Sequence, residues 1–290
     1  MTAVLRQSLA LTARQLRALW RQPVYVAVTL VQPVIWLLLF GALFKRVVDL
    51  PGFATDSYVD YLTPGVVIMS ALFSAGWNGM GMLNDLQRGV LDRFLTTPAR
   101  RGPLVAGPLT QSVVIVLIQS LVIIALGAIV GATFPGGVGG IAILLACAGL
   151  LAAAMAGLSN GLALITRQEE SLVGAVQFLV LPLTFLSTVF MAPALLPGWI
   201  GDVARFNPVN WAIEAGRSAL SADVDWGLVA VRMGGLLLLA VLSGLYATRA
   251  FRAYQRSLVR AGLRRGGADR PERTPRPGPS APAASAAGRP

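Results

Sequence analysis

GPLVAGPLTQSVVIVLIQSLVIIALGAIVGATFPGGVGGIAILLACAGLLAAAMAGLSNGLALIT, Gly102 to Thr166, is 65 residues without one charged side chain. A helix crosses the roughly 30 Å hydrocarbon layer with about 20 apolar residues. A central Arg or Asp costs about 2.5–3.5 kcal/mol on insertion scales. The stretch is long enough for two crossings and too long for one. FPGGVGG, Phe134–Gly140, supplies the break, because proline and clustered glycines favour a turn. Outward from this pair, charge-free intervals mark the other spans: 23 residues between Arg21 and Lys45, 24 between Asp60 and Asp85, and 31 between Glu170 and Asp202. A last apolar run covers Leu228–Thr248, with Arg232 near its outer end. The expected fold is all-α and integral to the membrane, with six spans at about 22–44, 62–84, 108–131, 141–165, 172–191 and 228–248.

Composition agrees. Of 290 residues, 55% are hydrophobic and 13% charged, with mean hydropathy +0.68, against roughly a quarter charged in a soluble domain. A soluble enzyme, a disordered chain and a secreted disulfide scaffold are excluded. Cys147 is the single cysteine and histidine is absent, so no disulfide, multi-cysteine metal site or histidine proton shuttle is expected. Acids are missing from the centre of every span, which removes the usual relay of a proton-coupled carrier. A phosphate-binding loop needs Gly-Lys-Ser/Thr, and the only lysine, Lys45, stands between Phe44 and Arg46. No catalytic residue, metal or bound cofactor is expected in this chain. Energy for uphill movement has to come from another.

Nineteen basic residues fall before span one, between spans two and three, between four and five, and after span six; five fall on the other side. The positive-inside rule then puts both termini in the cytoplasm. The net charge of +11 reflects this topology rather than nucleic-acid binding, which is not expected. No cleavable leader is read at the start, since the first apolar run is span-length and follows an arginine-rich segment.

Residues 1–21 place Leu5, Leu9, Leu16, Leu19 and Trp20 on one helical arc and Arg6, Arg14, Arg17 and Arg21 on another, the pattern of a helix lying in the headgroup layer. Between spans two and three, Asn84 and Gln87 read as a capping pair opening a short cytoplasmic helix that Pro98 stops. Ala192–Gly227 carries three prolines, three tryptophans and the charges Glu214 and Arg217, read as a pair; its apolar runs are too short to cross, which favours re-entrant or interfacial helices on the outer side. Residues 255–290 are basic and rich in proline and alanine, a disordered cytoplasmic tail by composition. Within the spans, Gly149, Ala153, Gly157 and Gly161 recur every fourth residue, and Gly127 and Gly131 share that relation; small residues so spaced let helices approach closely. Asn78, Gln119, Asn160 and Gln177 either line a substrate path or join helices by hydrogen bonds.

RGVLDRFLTTPARRGPLVAG, Arg88–Gly107, resembles the cytoplasmic loop of type-2 ATP-binding-cassette exporter permeases. FNPVNWAIEAGRSAL, Phe206–Leu220, is similar to the segment before the last span in that family, and Arg21–Pro23 to the end of its amino-terminal helix. The resemblance runs from about Leu5 to Tyr254 and is nearest to the daunorubicin/doxorubicin-resistance-type drug exporter permeases. It implies a transmembrane domain at 22–254 paired with a second permease copy and driven by two copies of a separate cytoplasmic ATPase, which would bind ATP and Mg. It further implies that Asp85, Arg88, Gly89, Leu91, Asp92, Arg93, Leu95, Thr97 and Pro98 couple to the ATPase. Asn207, Pro208, Glu214 and Arg217 would belong to an outer gate. Gln87 departs from the acid common before Arg-Gly in the family. The expected cargo is a hydrophobic, drug-like or lipid-linked molecule leaving the cytoplasm across the plasma membrane. The competing reading is an ion-coupled carrier or channel without ATP, yet the chain shows neither inverted repeats nor intramembrane ionic sites.

Overall fold

The computed structural model describes residues 23–49, 57–88 and 102–268, with side chains at 29–49, 57–88 and 107–256. The chain divides into two units, Met1–Arg252 and Ala253–Pro290. Among the described residues there are α-helices and short 3-10 turns and no strand. The helices are α1 (Pro23–Leu43), α2 (Tyr58–Gly76), α3 (Asn78–Gln87), α4 (Gly102–Val130), α5 (Gly137–Thr166), α6 (Glu169–Phe185), α7 (Gly198–Ala204), α8 (Pro208–Leu220) and α9 (Trp226–Ala268).

Among the described residues, four stretches are long and apolar enough to cross a bilayer: Tyr58–Gln87 (α2 with α3), Gly107–Val130, Gly137–Thr166 and Trp226–Arg256. They coincide with the expected spans two, three, four and six. The 65-residue stretch does break in two, at Gly131–Gly136 between α4 and α5. Gly131 takes φ +110° and Gly137 φ +58°, backbone that glycine alone adopts without strain. Expected span one is covered almost throughout by α1, Pro23–Leu43, while expected span five is shorter. The described apolar part of α1 is Thr29–Leu43. α6 ends at Phe185 after 17 residues, about 25 Å of helix, rather than reaching Met191. Two further boundaries differ from expectation. Asn84 opens no new helix: it lies in the last turn of α3, and its carbonyl accepts the Arg88 N–H at 3.0 Å. The expected tail at 255–290 is helical as far as Ala268, because Leu, Arg and Ala are good helix formers and the first proline comes at Pro271.

α2 and α5 form the buried centre. α2 is buried on nearly every side, from Tyr61 through Leu72, and packs against α1, α4, α5 and α8. Such an all-round apolar helix belongs inside a bundle. α8 is amphipathic: Val209, Ala212, Ile213, Gly216, Ala219 and Leu220 are buried at helical spacing, and this face lies on α5. The C-terminus of α8 reaches the N-terminus of α5 so closely that the Leu220 carbonyl takes the Gly136 N–H at 2.9 Å. A Cβ at Gly136 or Gly140 would collide with the Ala219 carbonyl.

Candidate functional site

Three regions hold the residues singled out from the sequence: a cap built around α8, the α2–α3 junction, and a cavity between α1, α2 and α4.

The cap explains why α6 stops short. Residues 187–191 leave the helix, which frees backbone groups that lipid cannot satisfy; each such group costs several kcal/mol. Side chains from two other helices take them up. Tyr61 donates its hydroxyl to the Thr188 and Met191 carbonyls at 2.9 and 2.7 Å, and Tyr58 donates to the Phe190 carbonyl at 2.9 Å. Arg217 donates to the Val189 carbonyl at 3.1 Å and to the Tyr61 carbonyl at 3.0 Å. Asn210 Oδ1 accepts from both the Thr188 N–H (3.2 Å) and its hydroxyl (2.6 Å). Four consecutive carbonyls, 188 to 191, therefore face side-chain donors, with the single Tyr61 hydroxyl proton shared between 188 and 191. Asn207 serves two helices. Its Oδ1 caps α8 by accepting the Val209 N–H, with Pro208 in the first turn, and its Nδ2 donates to the Leu183 and Leu186 carbonyls at the end of α6, both at 2.8 Å. This is the N-cap arrangement expected of Asn followed by Pro.

Arg217 lies with its guanidinium 3.5 Å above the Tyr61 ring, a cation–π contact strengthened by desolvation. Burial lowers the proton affinity of this guanidinium from the ordinary arginine value, against the opposing pull of Tyr61, Tyr58 and Glu214. Glu214 does not pair with Arg217. It accepts from Asn210 at 2.8 Å and forms an ion pair with Arg232 of α9 at 2.7 Å. Three residues along the helix put Glu214 and Arg217 on neighbouring ridges, and their partners lie on different helices.

At the α2–α3 junction, Trp77 interrupts the helix and Ser159 of α5 fills the gap. Its hydroxyl donates to the Gly76 carbonyl and accepts the Gly79 N–H at 3.0 Å. Asn78 donates to Asn160 Oδ1 at 3.3 Å and to the Pro108 carbonyl at 3.4 Å. A Cβ at Gly79 would lie 2.5 Å from the Ser159 carbonyl oxygen. Below this lock α3 ends in exposed polar residues, Asn84, Asp85, Gln87 and Arg88. Gly89, Leu91, Asp92, Arg93, Leu95, Thr97 and Pro98 lie outside the described residues, as does the amphipathic segment 1–21.

The small residues of α5 receive two helices. Gly149 faces Val113 of α4, while Gly157 and Gly161 face Ser243 and Tyr246 of α9; Ala153 is half-buried between them. Gly127 of α4 meets Thr63 of α2. Gly131 has open space around it and serves as the end of α4.

The cavity measures about 210 Å³. Thr29, Gln32 and Pro33 of α1 line one side, Ser70, Phe73 and Ser74 of α2 with Trp77 the other, and Gln119 of α4 the wall between. The four polar span residues thus separate: Gln119 lines this cavity, Asn78 and Asn160 bond to each other, and Gln177 is exposed on α6. Sequence reasoning missed Tyr58, Tyr61, Thr188, Asn210 and Ser159. The NPVN run pointed at Asn210; nothing local marks the others, because their partners are up to 132 residues away.

The pattern of the ABC-2 type transporter family matches residues 6–221. The daunorubicin resistance ABC transporter permease protein DrrB1 of Streptomyces coeruleorubidus is 26% identical over 77% of this chain and 79% of its own length. The putative transport permease ycf38 of Pyropia yezoensis is 28% identical over 77% of each chain. The inner membrane transport permease YadH of Escherichia coli K12 is 28% identical over 69% of this chain and 78% of its own.

Proposed function

This chain belongs to the ABC-2 type transporter family, and from that premise we propose that it is the membrane-spanning subunit of an ATP-driven exporter. In this reading six spans cross the plasma membrane with both termini in the cytoplasm, and two permease copies enclose the pathway. Two copies of a separate ATPase bind ATP and Mg and grip the loop after α3. The cargo is a hydrophobic small molecule, drug- or antibiotic-like, or a lipid-linked compound; the resistance named for the Streptomyces relative supports the former.

The observation that carries the reading is the end of α3. α3, which packs against the buried bundle, ends in a polar, exposed turn at Asn84–Arg88, and the sequence that follows it is GVLDRFLTTPARR. Asp85, Arg88, Gly89, Leu91, Asp92, Arg93, Leu95, Thr97 and Pro98 supply the contact with the ATPase. Nucleotide binding shifts the permease only if the ATPase grips one of its conformations more tightly than the other. Replacement of Gly89 or Arg93 should leave membrane insertion intact and abolish ATP-driven export in proteoliposomes holding the permease with its partner ATPase. Export unchanged in both variants would remove the coupling assignment.

A further inference from the structure

The cavity between α1, α2 and α4 has a chemistry of its own. None of its lining residues is ionisable, so a charged guest would enter with no counter-charge, at a cost of many kcal/mol in a low dielectric. Two buried polar atoms on its wall lack a hydrogen-bond partner: Gln119 Oε1 and Ser70 Oγ, on residues 2% and 6% exposed. Buried polar groups are normally paired, and exceptions need an account. An amide oxygen only accepts, whereas a hydroxyl both donates and accepts. The wall therefore asks for a guest that carries an O–H or N–H. Phe73 and Trp77 supply flat apolar surface opposite. The volume, about 210 Å³, is below the roughly 300–1,000 Å³ taken by drug-sized ligands, which limits the guest to one ring system or one part of a larger molecule.

The cavity also has a continuation. Gln32 and Pro33 stand on the face of α1 that leads, at four-residue steps, to Trp36, Phe40 and Phe44. Those rings stack in series, Trp36 on Phe40 at 4.7 Å and Phe40 near Phe44 at 5.4 Å, with Phe190 beside both Trp36 and Phe40. Phe44 then meets Tyr58 at 5.7 Å, and the next ring, Tyr61, lies under Arg217. A line of aromatic rings thus runs from Trp36, one helical turn beyond the cavity's Gln32, to the α8 cap.

We propose that this cavity is a binding subsite for an uncharged, planar ring bearing a hydrogen-bond donor, and that the Trp36–Phe40–Phe44 ladder is the surface along which such a ring passes toward the α8 cap. Its place in transport rests on the permease reading; the binding itself is a property of this chain alone and is measured without an ATPase.

The test uses the full chain in lipid nanodiscs, with Cys147→Ala and Ser74→Cys, and follows labelling of the new thiol by N-ethylmaleimide. The probe is 1-naphthol, compared with 1-methoxynaphthalene (no donor), 1-naphthoate and 1-naphthylmethylammonium. Naphthol should slow labelling saturably. The methoxy analogue should need about fivefold more, the worth of one hydrogen bond, and the two ions should give no protection. Adding Gln119→Leu should erase the difference between naphthol and its methyl ether. A thiol at lipid-facing Leu38→Cys should be insensitive to all four compounds. Ser70→Cys is the second reporter should Ser74→Cys not assemble. Protection equal at Leu38→Cys, equal protection by the ions, a naphthol preference that survives Gln119→Leu, or thiols at 70 and 74 that never react would each overturn the proposal. Binding as expected with no ATP-driven export would retire the permease reading and leave the subsite standing.

Discussion

The α8 cap and the α1–α2–α4 cavity both hold polar groups inside an apolar bundle, and they treat them in opposite ways. At the cap, irregular backbone at 188–191 is matched group by group: Tyr58, Tyr61, Asn210 and Arg217 each reach a specific carbonyl or N–H. At the cavity, Ser70 Oγ and Gln119 Oε1 are left without partners although their residues are almost fully buried. The difference separates two uses of polarity. Matched groups hold an irregular turn where lipid would otherwise forbid one. Unmatched groups lower stability, and the two at the cavity are the ones assigned to the proposed guest, a trade between stability and activity.

That contrast can be broken first at Arg217. Arg217→Met removes the donor to two carbonyls and to the Thr188 hydroxyl, so at about 1–3 kcal/mol per orphaned buried group the loss should reach about 3 kcal/mol or more. Thermal unfolding in detergent, read by fluorescence-detected gel filtration, should show a large fall or no monodisperse protein. Arg217→Lys should recover only part, because one ammonium lacks the planar fork that spans these acceptors. A variant as stable as the parent would mean that the cap is not held by its side-chain donors.

Glu214 and Arg232 test the charged edge of the same cap. Their side chains are 29% and 26% exposed, respectively, so partial screening limits their coupling to about 1 kcal/mol. A double-mutant cycle with Glu214→Gln and Arg232→Gln should give that value in low salt. A coupling of zero would reduce the pair to a chance of geometry. The smallest effect is expected at the cavity and has the opposite sign. Gln119→Leu replaces an unpaired amide oxygen with a side chain of similar volume and should leave stability unchanged or raise it by up to about 1 kcal/mol. A fall in the unfolding temperature would show that Gln119 works structurally and would draw the two regions together.

How far the sequence foretells this arrangement depends on the range of the interaction. Charge-free intervals and the FPGG break locate α4, α5, the α2–α3 run and α9, because insertion cost is a property of each residue and of its near neighbours. Capping is local too, and Asn207–Pro208 is visible in the chain. The end of α6 is not. Leu186 and beyond leave the helix to meet Tyr61 and Arg217, and Arg217 itself reaches a carbonyl 156 residues away; no period or propensity encodes that. For the same reason spacing misassigns the partner of Glu214: it offers Arg217 next door, while the fold brings up Arg232. The cavity is half legible. Gln119 stands out as a polar residue at span depth, but nothing in its neighbourhood distinguishes it from Asn160, whose Oδ1 accepts from Asn78.

The interruption at Trp77 has a mechanical consequence. An unbroken helix delivers a push along its own length, whereas here the hydrogen-bond ladder is cut and the loose ends are tied sideways, Gly76 and Gly79 to Ser159 and Asn78 to Asn160. On the proposed coupling, force entering at Arg88 would therefore be shared with α5 as torque before reaching the upper half of α2. The joint behaves as a crank, with the hydroxyl of Ser159 for its pin.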